Sequence, residues 1–120
     1  MGYRIDYLVR GGVLRAVVSG KAAFAARIAR DIGAQARERA VAQLLIDVRR
    51  LEDRVGTLGT LLTSSGGPAR GRDRRVAVLD VEENNRYYVF AEMVARSLGC
   101  TLRHFADAAA AVSWLRNAAD

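Results

Sequence analysis

Two short and almost uninterrupted apolar runs, residues 41–48 and 76–81, constrain the fold of this chain most. Runs of this length and composition are typical of strands that are covered on both faces, as in a parallel sheet. A helical pattern at about residues 21–39 precedes the first run, with apolar side chains at every fourth position. A strand, a long helix and a second buried strand predict a parallel crossover unit.

The first residues predict a β-hairpin. Residues 3–9 alternate between apolar and polar side chains, and residues 13–18 form a second apolar run. Gly11 and Gly12 lie between them and tolerate the positive φ angles of a tight turn. The sheet is therefore expected to begin with an antiparallel pair.

The remainder of the chain predicts further strands and helices. A charged connection is expected at residues 49–56, a short helix at 57–63, a loop at 64–75 and a brief strand at 101–105. A helix at residues 85–98 would be capped by Asn84 or Asn85 and ended by Gly99, and a last helix would be capped by Asp107. On the first of these helices the side chains expected to face the core are Phe90, Met93, Val94 and Leu98.

These elements predict an α/β fold with a mixed, mainly parallel sheet, an N-terminal β-hairpin and helices packed on the sheet. The length of 120 residues fits a single domain, residues 1–120. No stretch approaches the roughly 20 apolar residues of a membrane span, and the first residues lack the pattern of a secretory signal. We therefore expect a cytoplasmic protein.

The chain contains one Cys and one His, and these counts exclude most catalytic chemistry. A single Cys forms neither an internal disulfide nor a cysteine zinc cluster. A single His leaves no multi-histidine metal site, and His104 and Cys100 are expected to be structural. We predict no catalytic residue, no metal site and no cofactor.

Two aspartates follow buried strands, where ligands of open α/β sheets usually bind. Asp47 and Asp80 could bind a divalent cation or accept a phosphoryl group, or each carboxylate could cap the loop amides beside it. The acidic pair and the Lys that a phosphoreceiver needs are missing. The candidate residues for binding a ligand or a partner are Asp47, Arg49, Thr57, Asp80 and Tyr87.

The chain contains 18 arginines and has a net charge of +6. Half of this excess of positive charge lies in one loop. The arginines of this basic loop are Arg70, Arg72, Arg74 and Arg75. They could contact an anion or a nucleic acid, but no aromatic residues alternate with them, so nucleic-acid binding by base stacking is not indicated.

Three segments together carry a family resemblance: LLIDVRRL, RRVAVLDVEEN and the closing G-x-x-x-R-x-F-x-D-x-x-x-A-x-x-W-L. The closing signature is matched by Gly99, Arg103, Phe105, Asp107, Ala111, Trp114 and Leu115. With these motifs the chain resembles SpoIIAA-like proteins of the STAS and SEC14-like group.

The resemblance implies a non-enzymatic bacterial α/β module. STAS domains act as regulatory and protein-interaction switches, among them anti-sigma factor antagonists, and SEC14-like relatives enclose lipids. The antagonists carry a phosphorylatable Ser in a D-S-[ST]-G context, whereas here Val-Arg-Arg-Leu follows Asp47 and the nearest hydroxyl groups belong to Thr57 and Thr60. A phosphorylation switch is therefore not expected.

The functional expectation is a module that binds a protein partner or a small apolar or anionic ligand near Asp47 and Asp80. One alternative is lipid or hydrophobic-ligand binding in a cleft under the helix of residues 85–98. A second alternative is contact with an anion or nucleic acid through the basic loop. Pairing of the hairpin edge or of an Ala-rich helix face could also produce a homodimer.

Overall fold

A five-stranded sheet forms the centre of the computed structural model, which describes residues 2–52, 58–70 and 73–117. The strands lie in the order β1-β2-β3-β4-β5; β1 and β2 pair antiparallel, and every other pair is parallel. The strands are β1 (Tyr3–Arg10), β2 (Val13–Lys21), β3 (Gln43–Glu52), β4 (Arg75–Leu79) and β5 (Thr101–Phe105). The predicted mixed, mainly parallel sheet with an N-terminal hairpin is confirmed.

Four α-helices pack on the sheet within the described residues: α1 (Ala25–Glu38), α2 (Leu58–Leu62), α3 (Val89–Ser97) and α4 (Ala108–Arg116). Short 3-10 helices lie at Ala22–Phe24, Pro68–Arg70 and Glu82–Tyr87. The helices α1, α2 and α3 bury their apolar side chains in one core on one face, and α4 builds a smaller core on the other. None of these helices combines the length and the apolar character that a membrane span requires.

The structure confirms two local predictions, the hairpin turn and the N-cap of α4. Gly11 and Gly12 have φ angles of +58° and +81°, which the hairpin turn requires and which glycine adopts without strain. Asp107 caps α4, because its carboxylate accepts a hydrogen bond from the backbone N–H of Ala110 at 2.9 Å.

The strand β3 is longer than predicted. Val17 of β2 lies opposite Asp47, but Ser19 lies opposite Arg50, so β3 carries one extra residue at this point. The bulge leaves Arg49 and Arg50 exposed and returns Leu51 to the core. The predicted charged connection is therefore wrong as far as Glu52, and its remainder lies outside the described residues.

The orientation of α3 differs from the predicted one. Phe90 and Met93 are 63% and 61% exposed, and Ala91 and Ala95 face the core instead. The 3-10 helix Glu82–Tyr87 takes the first positions of the predicted helix, so α3 itself begins only at Val89. The small alanine side chains also allow a close approach to the sheet.

The predicted cap of this helix is wrong as well. Tyr88 occupies the N-cap position of α3 and makes no capping hydrogen bond through its side chain. The Asn84 amide donates to Asp80 instead.

Candidate functional site

Asp47 lies on the face of the sheet on which α4 packs, and only 5% of it is exposed. Arg49 donates to both of its carboxylate oxygens, from Nε at 3.0 Å and from Nη2 at 2.8 Å. The backbone N–H of Arg49 donates to the same carboxylate at 3.1 Å, and Arg15 Nη2 lies 3.9 Å away. The carboxylate therefore caps a nearby amide, as one of the two alternatives predicted, and its charge is compensated within the chain.

Opposing effects set the pKa of Asp47. Burial raises the pKa, but hydrogen bonds from the side chain and backbone of Arg49, with the charges of Arg49 and Arg15, outweigh burial and lower it below its usual value. A carboxyl group with a lowered pKa in the folded state stabilises the fold above its unfolded-state pKa. That contribution is lost as the pH falls through the lowered folded-state pKa.

We expect Asp47→Asn to lower the free energy of unfolding by about 1–2 kcal/mol near neutral pH, because the charge-assisted hydrogen bonds from Arg49 are lost. As the pH falls below the usual pKa of a carboxyl group, the difference from wild type should shrink, since wild type loses this contribution and the variant has none to lose. Urea unfolding at several pH values measures both effects. Asp6→Asn is the control, because its ion pair with Arg4 is exposed and should contribute little; a constant difference at all pH values would contradict the prediction.

Asp80 is fully buried at the carboxyl end of β4. The Tyr88 hydroxyl donates to its Oδ2 at 2.6 Å, and the backbone N–H of Val81 and the Asn84 amide donate to Oδ1 at 2.8 and 3.2 Å. This carboxylate also caps the loop that follows its strand and ties that loop to the start of α3.

His104 completes the Asp80 cluster. Its ring stacks on Tyr88 with centroids 5.3 Å apart and planes inclined by 6°. Nε2 lies 3.1 Å from the backbone oxygen of Asp80, and Nδ1 lies 2.9 Å from Oδ1 of Asn85. The imidazole is held between two oxygen atoms and an aromatic ring, in agreement with the structural role that the sequence predicted.

The two aspartates do not form one site. Asp47 has the same strand parity as Leu45, which faces the α4 core, whereas Asp80 has the parity of Val78, which faces the core of α1, α2 and α3. The carboxylates therefore lie on opposite faces of the sheet. Among the described residues no three acidic, His or Cys side chains are grouped to hold a metal ion. Asp47 and Asp80 therefore do not act as paired carboxylates in one site.

A group of exposed apolar side chains lies on the outer face of α3. Val89, Phe90 and Met93 occupy adjacent positions on the helical surface and are 53%, 63% and 61% exposed; we call these three residues the α3 patch. The predicted site residue Tyr87 lies two residues before Val89, is exposed, and has the Arg86 guanidinium 5.1 Å above its ring.

Sequence reasoning missed the α3 patch because Phe90 and Met93 were assigned to the core. A second pattern with helical spacing, Tyr88, Ala91 and Ala95, was the available signal, and these residues are the buried ones. They fill the space beneath α3, where one alternative expected a lipid cleft.

The basic loop does not present its described arginines as one free cluster. Arg74 is 9% exposed and donates to the carbonyl oxygens of Val41 and Pro68 at 3.3 and 3.0 Å. Arg75 lies in β4 with its guanidinium 4.2 Å above the Trp114 ring, whereas Arg70 is exposed. Arg72 of the basic loop lies outside the described residues. So does Thr57, the predicted site residue between β3 and α2. An anion contact at this loop stays a prediction.

Cys100 lies in the core. Burial raises the pKa of its thiol to about 11, an effect that the nearby Arg74 opposes. A thiol that is buried and protonated at neutral pH is not a reactive nucleophile, so the expected structural role agrees with its position.

Two solved structures resemble this chain over nearly its whole length. An anti-sigma factor antagonist from Mycobacterium paratuberculosis superposes with a TM-score of 0.70 at 16% sequence identity, over 96% of this chain and 95% of that one. An uncharacterised protein of the DUF3478 family with a SpoIIAA-like fold, from Shewanella loihica, superposes with a TM-score of 0.54 at 19% identity, over 95% and 94%. No family model and no curated protein matches the sequence. The structural likeness establishes the SpoIIAA-like fold that the motifs predicted.

Proposed function

We propose that this chain is a non-enzymatic regulatory module of the cytoplasm that binds a protein partner through the α3 patch. The observation that carries the proposal is the exposure of Val89, Phe90 and Met93 together on one helical surface. Contiguous apolar surface costs solubility, and on soluble proteins it commonly marks an interaction site. An apolar stripe on a helix fits a groove lined by apolar side chains on a second protein.

The charges beside the α3 patch indicate the chemistry of the partner. Glu82 and Glu83 are exposed in the 3-10 helix that leads to α3. Arg86 and Arg96 are also exposed close to the patch in sequence, so a partner groove with an apolar floor and a rim that carries both charges would complement this surface. The fold is that of a protein described as an anti-sigma factor antagonist, so we propose an anti-sigma factor as the partner.

The proposal predicts that Phe90→Glu weakens binding of the anti-sigma factor at least about 30-fold, because a charge replaces an apolar anchor at the centre of the interface. The free energy of unfolding should change by no more than about 0.5 kcal/mol, since the side chain is mostly exposed. Calorimetric titration against each purified anti-sigma factor of the source organism measures the first effect, and urea unfolding measures the second.

Ala109→Glu is the matched control. Ala109 is exposed on α4, on the opposite face of the sheet, so the same charge there should leave binding unchanged. The proposal fails if wild type binds none of the anti-sigma factors, or if Phe90→Glu binds as tightly as Ala109→Glu.

A further inference from the structure

We propose that a cavity between the β1–β2 hairpin and α4 binds a small apolar carboxylate. The cavity lies on the face of the sheet opposite the α3 patch, so the inference does not depend on the proposed protein partner. It rests on apolar side chains and three arginines that line the same cavity.

The floor of the cavity consists of apolar side chains from both sides of the gap. Leu8 and Val13 come from the hairpin, Leu45 from β3, and Val112 and Leu115 from α4. The small core of this face is built by α4 with residues of β3 and β4, so the hairpin side chains meet α4 only at its edge. The enclosed volume is about 90 Å³.

Three arginines, Arg10, Arg15 and Arg116, line the cavity, and none of the described lining residues is acidic. No ion pair between described residues uses Arg10 or Arg116. Apolar side chains beside three guanidinium groups favour an occupant with an apolar body and a negative charge.

Arg15 supplies the most specific feature of the cavity. Its Nη2 lies 3.9 Å from Asp47, whose carboxylate is already bound by Arg49 at 2.8 and 3.0 Å. The Arg15 side chain is 37% exposed and lines the cavity, so its guanidinium group can bind a carboxylate there.

The size of the cavity sets the class of ligand. Pockets that bury drug-sized ligands measure about 300–1,000 Å³, so a cavity of about 90 Å³ suits a smaller occupant with a short apolar tail. Among anions, a carboxylate has the planar geometry that a guanidinium group binds through two hydrogen bonds.

Titration of the isotope-labelled chain with hexanoate, followed by NMR, tests the proposal. Saturable shifts are expected at the amides of Gly11, Leu45 and Val112, around the cavity. In a series of straight-chain carboxylates from acetate to octanoate, affinity should rise about fourfold for each added methylene. The increase in affinity with chain length should stop when the carbon chain fills the cavity. Hexylammonium and 1-hexanol carry the same chain without the negative charge and should bind at least about tenfold more weakly.

Variants locate the site. Arg15→Met keeps an apolar stem and removes the guanidinium, and should weaken hexanoate binding about tenfold. Arg116→Gln should weaken it about threefold and is the second test if Arg15→Met does not fold, since Arg116 is exposed. Val112→Trp should abolish binding by filling the floor. Arg96→Gln, an exposed arginine of α3, is the matched control and should bind as wild type does.

Three results would overturn the inference. The first is equal binding of hexanoate and hexylammonium, and the second is unchanged affinity in both arginine variants. The third is a dimer in sedimentation that Val112→Trp dissociates while hexanoate causes no shifts, because a second copy of the chain would then cover the cavity. Phe90→Glu should bind hexanoate as wild type does. The proposal of a carboxylate site in the cavity and the proposal of a partner site at the α3 patch can therefore fail independently.

Discussion

Gly33→Ala is expected to lower the free energy of unfolding by about 2–3 kcal/mol, although alanine is the better helix former. Gly33 lies within α1, where the helix approaches the loop before the 3-10 helix Pro68–Arg70. A Cβ atom there would collide with the carbonyl oxygen of Gly66 and would lie 3.0 Å from the carbonyl carbons of Gly66 and Gly67. These are backbone atoms, so no side chain can rotate away, and the loop or the helix must move.

The neighbouring position is the control for this prediction. Ala34 is exposed on the same helix, and Ala34→Gly should cost about 1 kcal/mol through helix propensity alone. Urea unfolding followed by circular dichroism gives both values. If Gly33→Ala were as stable as wild type or more stable, helix propensity would outweigh the steric clash. That result would contradict the close packing of α1 against Gly66 and Gly67.

Asp80→Ala is expected to cost about 3 kcal/mol at neutral pH. The substitution removes the acceptor for the Tyr88 hydroxyl, the Val81 N–H and the Asn84 amide, and Tyr88 is itself buried. Each polar group that stays buried without a partner adds a desolvation penalty of about 1–3 kcal/mol, and entry of water reduces the total. Urea denaturation of the variant and of wild type measures the loss.

A double-mutant cycle with Tyr88→Phe separates the energy of the Tyr88–Asp80 hydrogen bond from the other effects of each substitution. Tyr88→Phe alone should cost about 1–2 kcal/mol, because it removes the hydrogen bond of 2.6 Å to the Oδ2 atom of Asp80. The double variant should be more stable than the sum of the single losses predicts, by about 1 kcal/mol. Strict additivity of the two losses would mean that the hydroxyl and the carboxylate do not interact energetically.

The roles of the two aspartates could be predicted from the sequence only in part. Capping of adjacent amides by Asp47 and Asp80 follows from local sequence, since the amides lie within two residues of each carboxylate. Their separation onto opposite faces could not be predicted. The segments at 41–48 and 76–81 are apolar at nearly every position, so they lack the alternation that would reveal which face a side chain points to.

The helix α3 illustrates the same limit in another way. Its residues form two stripes with helical spacing, one with Phe90 and Met93 and one with Ala91 and Ala95. Hydrophobicity favours the first stripe for the core, but the small side chains of the second let the helix pack closely. The choice depends on how closely α3 packs against the sheet, which is set by segments that are distant in the sequence.

The sequence by itself determined the features that depend on near neighbours. The apolar runs specified the strands, Gly11 and Gly12 specified the hairpin turn, and Asp107 specified the start of α4. Only the tertiary structure decided which surface of α3 is exposed, which arginines line the cavity, and why Gly33 cannot carry a side chain. Turns and caps are satisfied by atoms a few residues away, whereas exposure and close approach depend on segments that meet only when the sheet is assembled.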